Sequence, residues 1–132
     1  MELLDVFDSE YNSLGIGALN YDDVHQKGMW HHTFACWLIN EENNTVIFQL
    51  RGPNNRVDPN SFDASAGGHL ASGEVAEDGF RELEEELGVT VAYKDRCYLG
   101  IFRNICNKYK YINLEFCHVY LASSNFTLDD FT

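Results

Sequence analysis

The sequence is poor in basic residues and in proline, and it lacks long apolar runs. Its 132 residues include 9 Lys and Arg against 21 Asp and Glu, which gives a net charge of −12. Nucleic acids and anionic lipids attract basic surfaces, so a chain this acidic argues against a nucleic-acid polymer or a membrane as partner. No apolar run approaches the roughly 20 residues that a membrane-spanning helix needs. Only 2 prolines, with aromatic residues at 14 %, exclude the composition of a disordered chain.

Cysteines are few, and their spacing is not that of a metal or redox motif. The four cysteines, at positions 36, 97, 106 and 117, form no C-x-x-C pair. The first residues, Met1 to Asp5, have neither the basic start nor the apolar stretch of a secretory signal. We therefore expect reduced thiols and a cytoplasmic protein.

The pattern of apolar segments predicts one α+β domain over residues 1–132. Residues 1–29 are polar and irregular, and we interpret them as an amino-terminal extension. Strands are expected over residues 33–39 and 46–51, which together favour a hairpin. A helix is expected over residues 74–87, where a glycine follows its end. Further strands are expected over residues 62–66, 89–93, 97–103 and 114–122.

The predicted helix is strongly acidic. Residues 74–86 carry seven acidic side chains and one basic one, a local charge of −6. At about 100° per residue, Glu82, Glu85 and Glu86 share one helix face. A solvated surface is the usual role of such a face, but like charges four residues apart repel, and the helix dipole disfavours acids in the last turn. A divalent cation would offset both costs, and Mg²⁺ or Mn²⁺ suits clustered carboxylates. An adjacent apolar stripe, able to pack on a sheet, consists of Phe80, Leu83 and Leu87.

The stretch from Gly68 to Val89 resembles the Nudix box, G-x5-E-x7-R-E-U-x-E-E-x-G-U, in which U is an aliphatic residue. The segment from Gly68 to Glu74 fits the first part of this pattern, and the segment from Arg81 to Val89 fits every specified position of the last part. Six residues instead of seven separate Glu74 from Arg81. The missing residue affects the junction of loop and helix, whereas the glutamates lie wholly after it.

The resemblance implies a Nudix-type α/β/α sandwich with a mixed β-sheet, in which residues 67–89 form the loop and helix of the box. It also implies a metal-dependent hydrolase that cleaves a diphosphate linked to another group X, with Mg²⁺ or Mn²⁺ as cofactor. In the implied site, glutamates bind metal and act in catalysis, an arginine orients them, a further glutamate braces the loop, and a glycine carbonyl completes the metal shell. In this sequence the metal-binding glutamates are Glu82, Glu85 and Glu86, and the orienting arginine is Arg81. The bracing glutamate is Glu74, and the carbonyl is that of Gly67 or Gly68.

A set of histidines resembles the metal site of isopentenyl-diphosphate isomerase, a branch of the same superfamily. His25, His32, His69 and Glu115 occupy matching positions, while a second glutamate of that enzyme falls at Asn113. Imidazole and carboxylate together suit a transition metal better than Mg²⁺, which makes this set a candidate second metal site. Two alternatives stay open: the histidines tie the amino-terminal segment to the core by hydrogen bonds, or Glu115 serves the metals of the helix.

Three functions remain in competition. Isomerase activity is disfavoured because the catalytic cysteine of that family falls at Gly67, which cannot transfer a proton. A non-catalytic Nudix-fold binding module is the other alternative, and the intact glutamate set favours the hydrolase. The group X stays open between nucleoside, sugar, isoprenoid and coenzyme diphosphates. Candidate substrate contacts are Gln49, Arg51 and Glu74, with Arg56, Lys108 and Lys110 as further basic residues in loops.

A homodimer is the expected assembly. Nudix domains usually end with a second long helix that covers the sheet, and this sequence predicts none. An apolar sheet face left open would need a partner, which a second copy of the chain can supply. The other expected partner is the small-molecule diphosphate.

Overall fold

The computed structural model describes residues 2–54, 58–108, 111–123 and 125–131. Short 3-10 helices in these ranges span Ala76–Phe80, Tyr93–Asp95 and Leu128–Asp130. In chain order the strands and α-helices are β1 (Leu3–Leu4), β2 (Leu19–Asn20), α1 (Tyr21–Lys27), β3 (Trp30–Asn40), β4 (Thr45–Ile47), β5 (Gln49–Leu50), β6 (Phe62–Asp63), β7 (Ala66–His69), α2 (Arg81–Leu87), β8 (Arg96–Lys108) and β9 (Tyr111–Ser123).

A mixed five-stranded sheet forms the centre of the molecule. Strand β3 runs parallel to β9, from Trp30 opposite Leu114 to Ile39 opposite Ser123. On its other side β3 is antiparallel to β4 and to β7. Strand β8 is antiparallel to β9, which gives the order β4-β3-β9-β8 with β7 beside β3. The α+β class, the mixed sheet and the β3–β4 hairpin predicted from the sequence are therefore confirmed.

The main core lies between one face of this sheet and helix α2. Successive side chains of a strand point to opposite faces, so Phe34 and Leu38 share a face of β3, where both are buried. Leu83 of α2 is fully buried in the same cluster, and burial of such a side chain contributes roughly 1.5–3 kcal/mol. Phe80 is buried in this cluster too, and Leu87 packs against the cluster. The predicted apolar stripe therefore does face the sheet.

The Nudix-box helix is divided into two parts. Residues 76–80 form a 3-10 helix, and only Arg81–Leu87 is α-helical, whereas the sequence predicted one helix over 74–87. Gly79 explains part of this, because a Cβ there would lie 2.2 Å from Cγ of Phe34. The 3-10 segment therefore packs its backbone directly on the sheet. The helix ends at Gly88, whose φ of 73° is the left-handed conformation that glycine adopts freely.

Several predicted strands have different bounds. Residues 89–93 are not a strand, and Val89 and Val91 are instead buried in the main core without strand pairing. The alternating apolar residues therefore reflect the burial of Val89 and Val91 in the core, not a strand. Strand β8 extends to Lys108, and the predicted segment 62–66 splits into β6 and the start of β7.

The amino-terminal segment is more ordered than its polar composition indicates. Asn20 caps α1 by accepting a hydrogen bond from the backbone N–H of Asp23, and Gly28 ends it with a φ of 69°. A second small core holds Leu4, Val6 and Val24, all buried. The sequence did not reveal α1 because its seven residues supply no apolar periodicity. None of the helices in the described ranges has the length and apolar character that crossing a membrane requires.

Candidate active site and metal centre

Helix α2 brings the glutamates of the Nudix box to the edge of the sheet at β7. The backbone N–H of Gly67 donates to Oε1 of Glu86 at 2.9 Å. One turn earlier on α2, the carboxylate of Glu82 lies against Gly68, where a Cβ would be 2.6 Å from its Oε1. Glycine at position 68 therefore makes room for the Glu82 carboxylate.

Arg81 connects three of the carboxylates around this edge. Its Nε and one terminal nitrogen donate to the two oxygens of Glu74 at 2.8 and 2.7 Å, a bidentate pair. Its other terminal nitrogen donates to Glu82 and, at 3.2 Å, to Glu85. Arg81 also donates to the carbonyl of His69 at 3.0 Å, so it joins α2 to β7 directly.

Glu74 lies at the foot of the loop that precedes the helix. Besides Arg81, it accepts a hydrogen bond from the backbone N–H of Ala71 at 2.6 Å. Both carboxylate oxygens are thus engaged with the protein. This geometry is that of a loop brace and leaves little of Glu74 for a substrate contact.

The two carboxylates nearest Arg81 have pKa values shifted in opposite directions. Burial raises the pKa of Glu82 to about 6; Arg81 opposes this shift, while Glu86 and Glu85 add to it by repulsion. The hydrogen bond from Arg81 lowers the pKa of Glu74 below its usual range. Arg81 therefore does not offset the effect of burial and of the neighbouring carboxylates at Glu82, although it is paired with that side chain.

Two predicted substrate residues lie on the hairpin beside this edge. The side-chain amide of Gln49 donates to Oε2 of Glu86 at 3.0 Å, so Gln49 belongs to the carboxylate cluster. Arg51 pairs with Asp63 across the β5–β6 hairpin at 2.8 Å and also lines the main cavity. Lys108 is exposed and pairs with Asp58 at 3.4 Å. Arg56 and Lys110 lie outside the described residues.

A second cluster of metal-ligand atoms lies on the opposite face of the sheet from α2. Ligand nitrogens of His25, His31 and His69 all lie within 4.8 Å of one another. Oε2 of Glu115, which faces His31 across the β3–β9 pair, is 3.9 Å from Nε2 of His31. Three imidazoles and one carboxylate therefore converge in one place.

The ring nitrogens of this cluster are prepared as ligands. Nδ1 of His25 and Nδ1 of His31 each bond a backbone carbonyl, of Tyr21 at 2.8 Å and of Met29 at 3.2 Å. A carbonyl only accepts, so both Nδ1 atoms carry the proton and both Nε2 atoms expose a lone pair. Burial lowers the pKa of His31 to about 4 and that of His69 to about 3, which keeps both rings neutral. Nε2 of His31 and Nε2 of His69 are buried and have no hydrogen-bond partner among the described residues.

The histidine predicted for this cluster, His32, is not in it, and His31 takes that place. Adjacent residues of a strand point to opposite faces of the sheet. A shift of one residue in matching this sequence to the isomerase therefore placed the expected ligand on the other face of β3. Nδ1 of His32 bonds the hydroxyl of Tyr11 at 2.7 Å, and the same hydroxyl bonds Nε2 of His118 at 2.7 Å. His32 therefore ties the amino-terminal segment to the sheet, which was the alternative role for the histidines.

A cavity of about 450 Å³ lies beside the histidine cluster and reaches the glycines of β7. Its lining residues do not include Glu82, Glu85 or Glu86. Its walls include His25, His69 and Glu115 of the histidine cluster. They also include Gly67 and Gly68, the two residues that contact Glu86 and Glu82. Other lining residues are Tyr21, Arg51, Phe62, Asp63, Asn104 and Ile105.

Sequence reasoning assigned no role to Asn104, which lines this cavity, or to His118, which is not among the lining residues, and it noted Asn113 only as the position of a glutamate in the isomerase. Asn104 and Asn113 each donate to Glu115, and His118 bonds Tyr11 and Tyr98. His31 is next to the predicted His32, so the alternation of strand residues was the available signal for it. Asn104 gave none, because its role depends on the pairing of β8 with β9.

Known proteins resemble this chain over most of its length. The chain matches no family model. A Nudix hydrolase of Clostridium acetobutylicum, itself uncharacterized, is 41 % identical over 133 residues, which cover 99 % of this chain and 64 % of that protein. Isopentenyl-diphosphate Delta-isomerase 1 of Photorhabdus laumondii is 30 % identical over 115 residues, which cover 84 % of this chain and 64 % of that enzyme.

A solved structure shows the same fold. A crystal structure from Deinococcus radiodurans superposes with a TM-score of 0.71 at 24 % identity, over 96 % of this chain and 74 % of that one. The Deinococcus protein is described as a hypothetical Nudix protein. This chain is shorter than its sequence relatives: it spans 64 % of the length of the protein from Clostridium acetobutylicum. Together, the mixed sheet, the glutamates beside β7 and these comparisons show that the chain has the fold of the Nudix proteins and is similar in sequence to proteins named Nudix hydrolases.

Proposed function

We propose that this chain is a Nudix domain of a metal-dependent hydrolase that cleaves a diphosphate linkage in a small molecule, a nucleoside diphosphate linked to X or a related compound. The observation that carries the proposal is the carboxylate cluster of α2. One face of α2 carries Glu82, Glu85 and Glu86, and the Glu82 carboxylate lies against Gly68.

The donor atoms are of the type that Mg²⁺ or Mn²⁺ binds, because all the side-chain atoms are carboxylate oxygens, which these ions prefer. Among the described residues, the ligand atoms that already lie within 4.8 Å of one another are those of His25, His31 and His69, so binding at α2 would draw the three glutamates together. Burial, with repulsion from Glu86 and Glu85, raises the pKa of Glu82 to about 6 despite its ion pair with Arg81. Residues that would hold the ion are Glu82, Glu85 and Glu86, with the carbonyl of Gly67 as the backbone ligand. Bound there, a divalent ion supplies charge neutralisation for a diphosphate and activation of the attacking water.

The remaining residues have distinct tasks. Arg81 holds Glu82 and Glu85 in position and anchors them through Glu74 to the loop. Glu82, with a pKa near neutrality in the metal-free protein, is suited to take a proton from the attacking water. Arg51, which lies in the cavity wall and pairs with Asp63, is the proposed phosphate contact.

A direct test is hydrolysis of a panel of diphosphates with Mg²⁺ or Mn²⁺. We expect release of phosphate or a monophosphate by the wild type, and its loss on Glu85→Gln. The matched control is Glu84→Gln, since Glu84 is exposed on the same helix. Equal turnover by wild type and Glu85→Gln would remove the assigned site. Tight binding of one compound without turnover of any would favour the non-catalytic binding module.

We also propose that the histidine cluster is a second metal site, for a transition metal such as Zn²⁺, Mn²⁺ or Fe²⁺. It is supported by the unpartnered, buried Nε2 atoms of His31 and His69 and by the nearby Glu115 carboxylate. Metal analysis after equilibration with Zn²⁺ tests it. We expect His31→Ala to lose metal and His32→Ala to retain it. The opposite pattern would restore His32 as the ligand.

Isomerase activity is favoured by the 30 % identity to an isopentenyl-diphosphate isomerase and by the histidine cluster that resembles the metal site of that enzyme. Position 67 argues against it, because glycine offers no side chain to transfer a proton. Incubation with isopentenyl diphosphate in deuterated water tests this: we expect no incorporation of deuterium into the diphosphate.

A cytoplasmic location is part of the proposal as well, supported by four free cysteines.

A further inference from the structure

We propose that Asp5, in the amino-terminal segment, is a positioning residue for the glutamate site. Its carboxylate holds the turn at residues 71–74, which carries Glu74, and through Glu74 it acts on Arg81 and the carboxylates of α2. This inference rests on the proposed hydrolase function. Neither the Nudix box nor the set of histidines includes Asp5.

A tight turn at residues 71–74 lies between β7 and the 3-10 helix of the Nudix box. The N–H of Glu74 donates to the carbonyl of Ala71 at 3.0 Å, which closes the turn. Gly73 has a φ of 85°, and a type II turn requires a positive φ at its third residue. The bond that closes the turn does not use the N–H groups of Ser72 and Gly73, which therefore need acceptors from elsewhere.

The amino-terminal segment supplies those acceptors. The N–H of Ser72 donates to the carbonyl of Leu3 at 2.8 Å. One carboxylate oxygen of Asp5 accepts from Oγ of Ser72 at 2.7 Å, and the other accepts from the N–H of Gly73 at 3.0 Å. The hydrogen bond from Gly73 lowers the pKa of Asp5 below its usual range, which keeps the carboxylate ionised near neutral pH. Asp5 therefore binds both a side chain and the backbone of the turn.

Asp5 is itself held in place by its neighbours. Leu4 and Val6, on either side of it, are buried in the second small core together with Val24. Leu4 also pairs with Leu19 across the β1–β2 pair. The Asp5 carboxylate is therefore presented from an anchored part of the chain, and it can restrain a turn that lies at the surface.

Glu74 follows directly after the residues that Asp5 binds. Its two oxygens accept from Nε and a terminal nitrogen of Arg81 at 2.8 and 2.7 Å. Arg81 in turn donates to Glu82 and Glu85. A continuous series of contacts thus leads from Asp5 through the turn to the carboxylates of α2.

The position of Asp5 separates this role from substrate binding and from the core. Asp5 is not among the residues that line the cavity, and Ser72 and Gly73 are exposed. Removal of the Asp5 carboxylate therefore leaves no void in the core and removes no residue of the cavity wall. It removes a restraint on the turn, so we expect the pair of Glu74 and Arg81 to open more often.

Exchange of the Arg81 Nε–H proton with water tests this link without relying on hydrolysis. It is measured by nuclear magnetic resonance on the isotope-labelled, metal-free chain, in which the bond to Glu74 protects that proton. We expect Asp5→Ala to speed the exchange by about tenfold. The Nε–H of Arg96, which donates to the carbonyl of Val91 at 3.2 Å, is the internal reference and should exchange at the same rate in both proteins.

Asp8→Ala is the matched control in the same segment. Asp8 accepts from the N–H groups of Glu10 and Asn12, at 2.9 and 3.0 Å, so the variant also loses hydrogen bonds from backbone to carboxylate. These bonds stay within the amino-terminal segment. We therefore expect Asp8→Ala to leave the exchange of Arg81 unchanged.

Ser72→Ala keeps the test decisive if Asp5→Ala does not fold. It removes one of the two bonds to Asp5, and we expect it to speed the Arg81 exchange by about threefold. Unchanged exchange at Arg81 in every folded variant of Asp5 and Ser72 would overturn the proposal. Equal acceleration at Arg81 and Arg96 would overturn it too, because it would indicate a general loss of stability.

Hydrolysis supplies the second measurement. We expect Asp5→Ala to lower kcat by about tenfold and to change KM for the diphosphate by less than about twofold, since Asp5 is not in the cavity wall. An unchanged kcat would overturn the positioning role. A wild type that hydrolyses no diphosphate would refute the hydrolase proposal, and the exchange rates would still decide whether Asp5 positions Arg81.

Discussion

Arg81 donates two hydrogen bonds to the carboxylate of Glu74, at 2.8 and 2.7 Å, and so joins the first turn of α2 to the loop before it. The same guanidinium reaches Glu82 and Glu85 on the other side. The geometry of the glutamate cluster therefore depends on one planar cation. It also shows why the shorter spacer of this Nudix box is tolerated: the 3-10 helix at residues 76–80 still delivers Arg81 to Glu74.

Arg81→Lys tests this dependence. Lysine keeps the charge but cannot make the bidentate bond to Glu74 while also reaching two other carboxylates. We expect turnover to fall by about tenfold or more, because small displacements of catalytic groups are costly. Steady-state hydrolysis measures the effect. Arg103→Lys is the control, since Arg103 is exposed on β8 and donates to the carbonyl of Ser9. Equal losses in both variants would count against the special role of Arg81.

Gly68→Ala should separate activity from stability. The new Cβ would lie 2.6 Å from Oε1 of Glu82, the mobile end of a side chain, so we expect a folded protein with a displaced carboxylate and lower turnover. Gly67→Ala is the contrasting variant, because its Cβ would lie 2.8 Å from the backbone oxygen of Phe34 and must strain the sheet. Turnover and thermal unfolding should be measured for both. A fully active Gly68→Ala would show that Glu82 is not confined there.

Acid should destabilise the protein through His118. Burial lowers the pKa of His118, which lies between the hydroxyls of Tyr11 and Tyr98 with His32 nearby, so the folded state favours the neutral ring. Its contribution to the free energy of unfolding is complete above the unfolded pKa of about 6.5 and is lost as pH falls through 6.5 toward the folded value.

The measurement is the free energy of unfolding between pH 7.5 and 5 for the wild type and for His118→Gln, with chelator present so that metal does not contribute. We expect a flatter dependence on pH in the variant, because the other buried histidines remain in both proteins. Parallel curves would exclude His118 as a contributor.

The homodimer predicted from the sequence stays a prediction, and the structure shows where to test it. Strand β8 lies at the sheet edge and exposes Leu99, Ile101, Phe102 and Ile105, with Ile105 71 % exposed. Sedimentation velocity at micromolar concentration should give a dimer for the wild type, and a monomer for Ile105→Asp. A monomeric wild type would contradict the prediction.

The glutamate edge was predictable because its information is local. The spacing of Glu82, Glu85 and Glu86 on a helix, and of Arg81 four residues before Glu85, is set by helical geometry alone. The histidine cluster depends on which residues of β3, β7 and β9 pair, and a sequence does not specify register to within one residue. An offset of one residue exchanged His31 for His32, and no local pattern places Asn104 opposite Glu115. Helix α1 was missed for a different reason, because its stability comes from an Asn20 cap and one buried Val24.

The central claim is that the α2 glutamates bind a divalent ion, and Mn²⁺ titration followed by electron paramagnetic resonance tests it most directly. The account predicts binding by the wild type and by Glu84→Gln, with affinity weakened by about tenfold or more in Glu85→Gln and in Glu82→Gln. Equal Mn²⁺ affinity in wild type, Glu85→Gln and Glu82→Gln would contradict it.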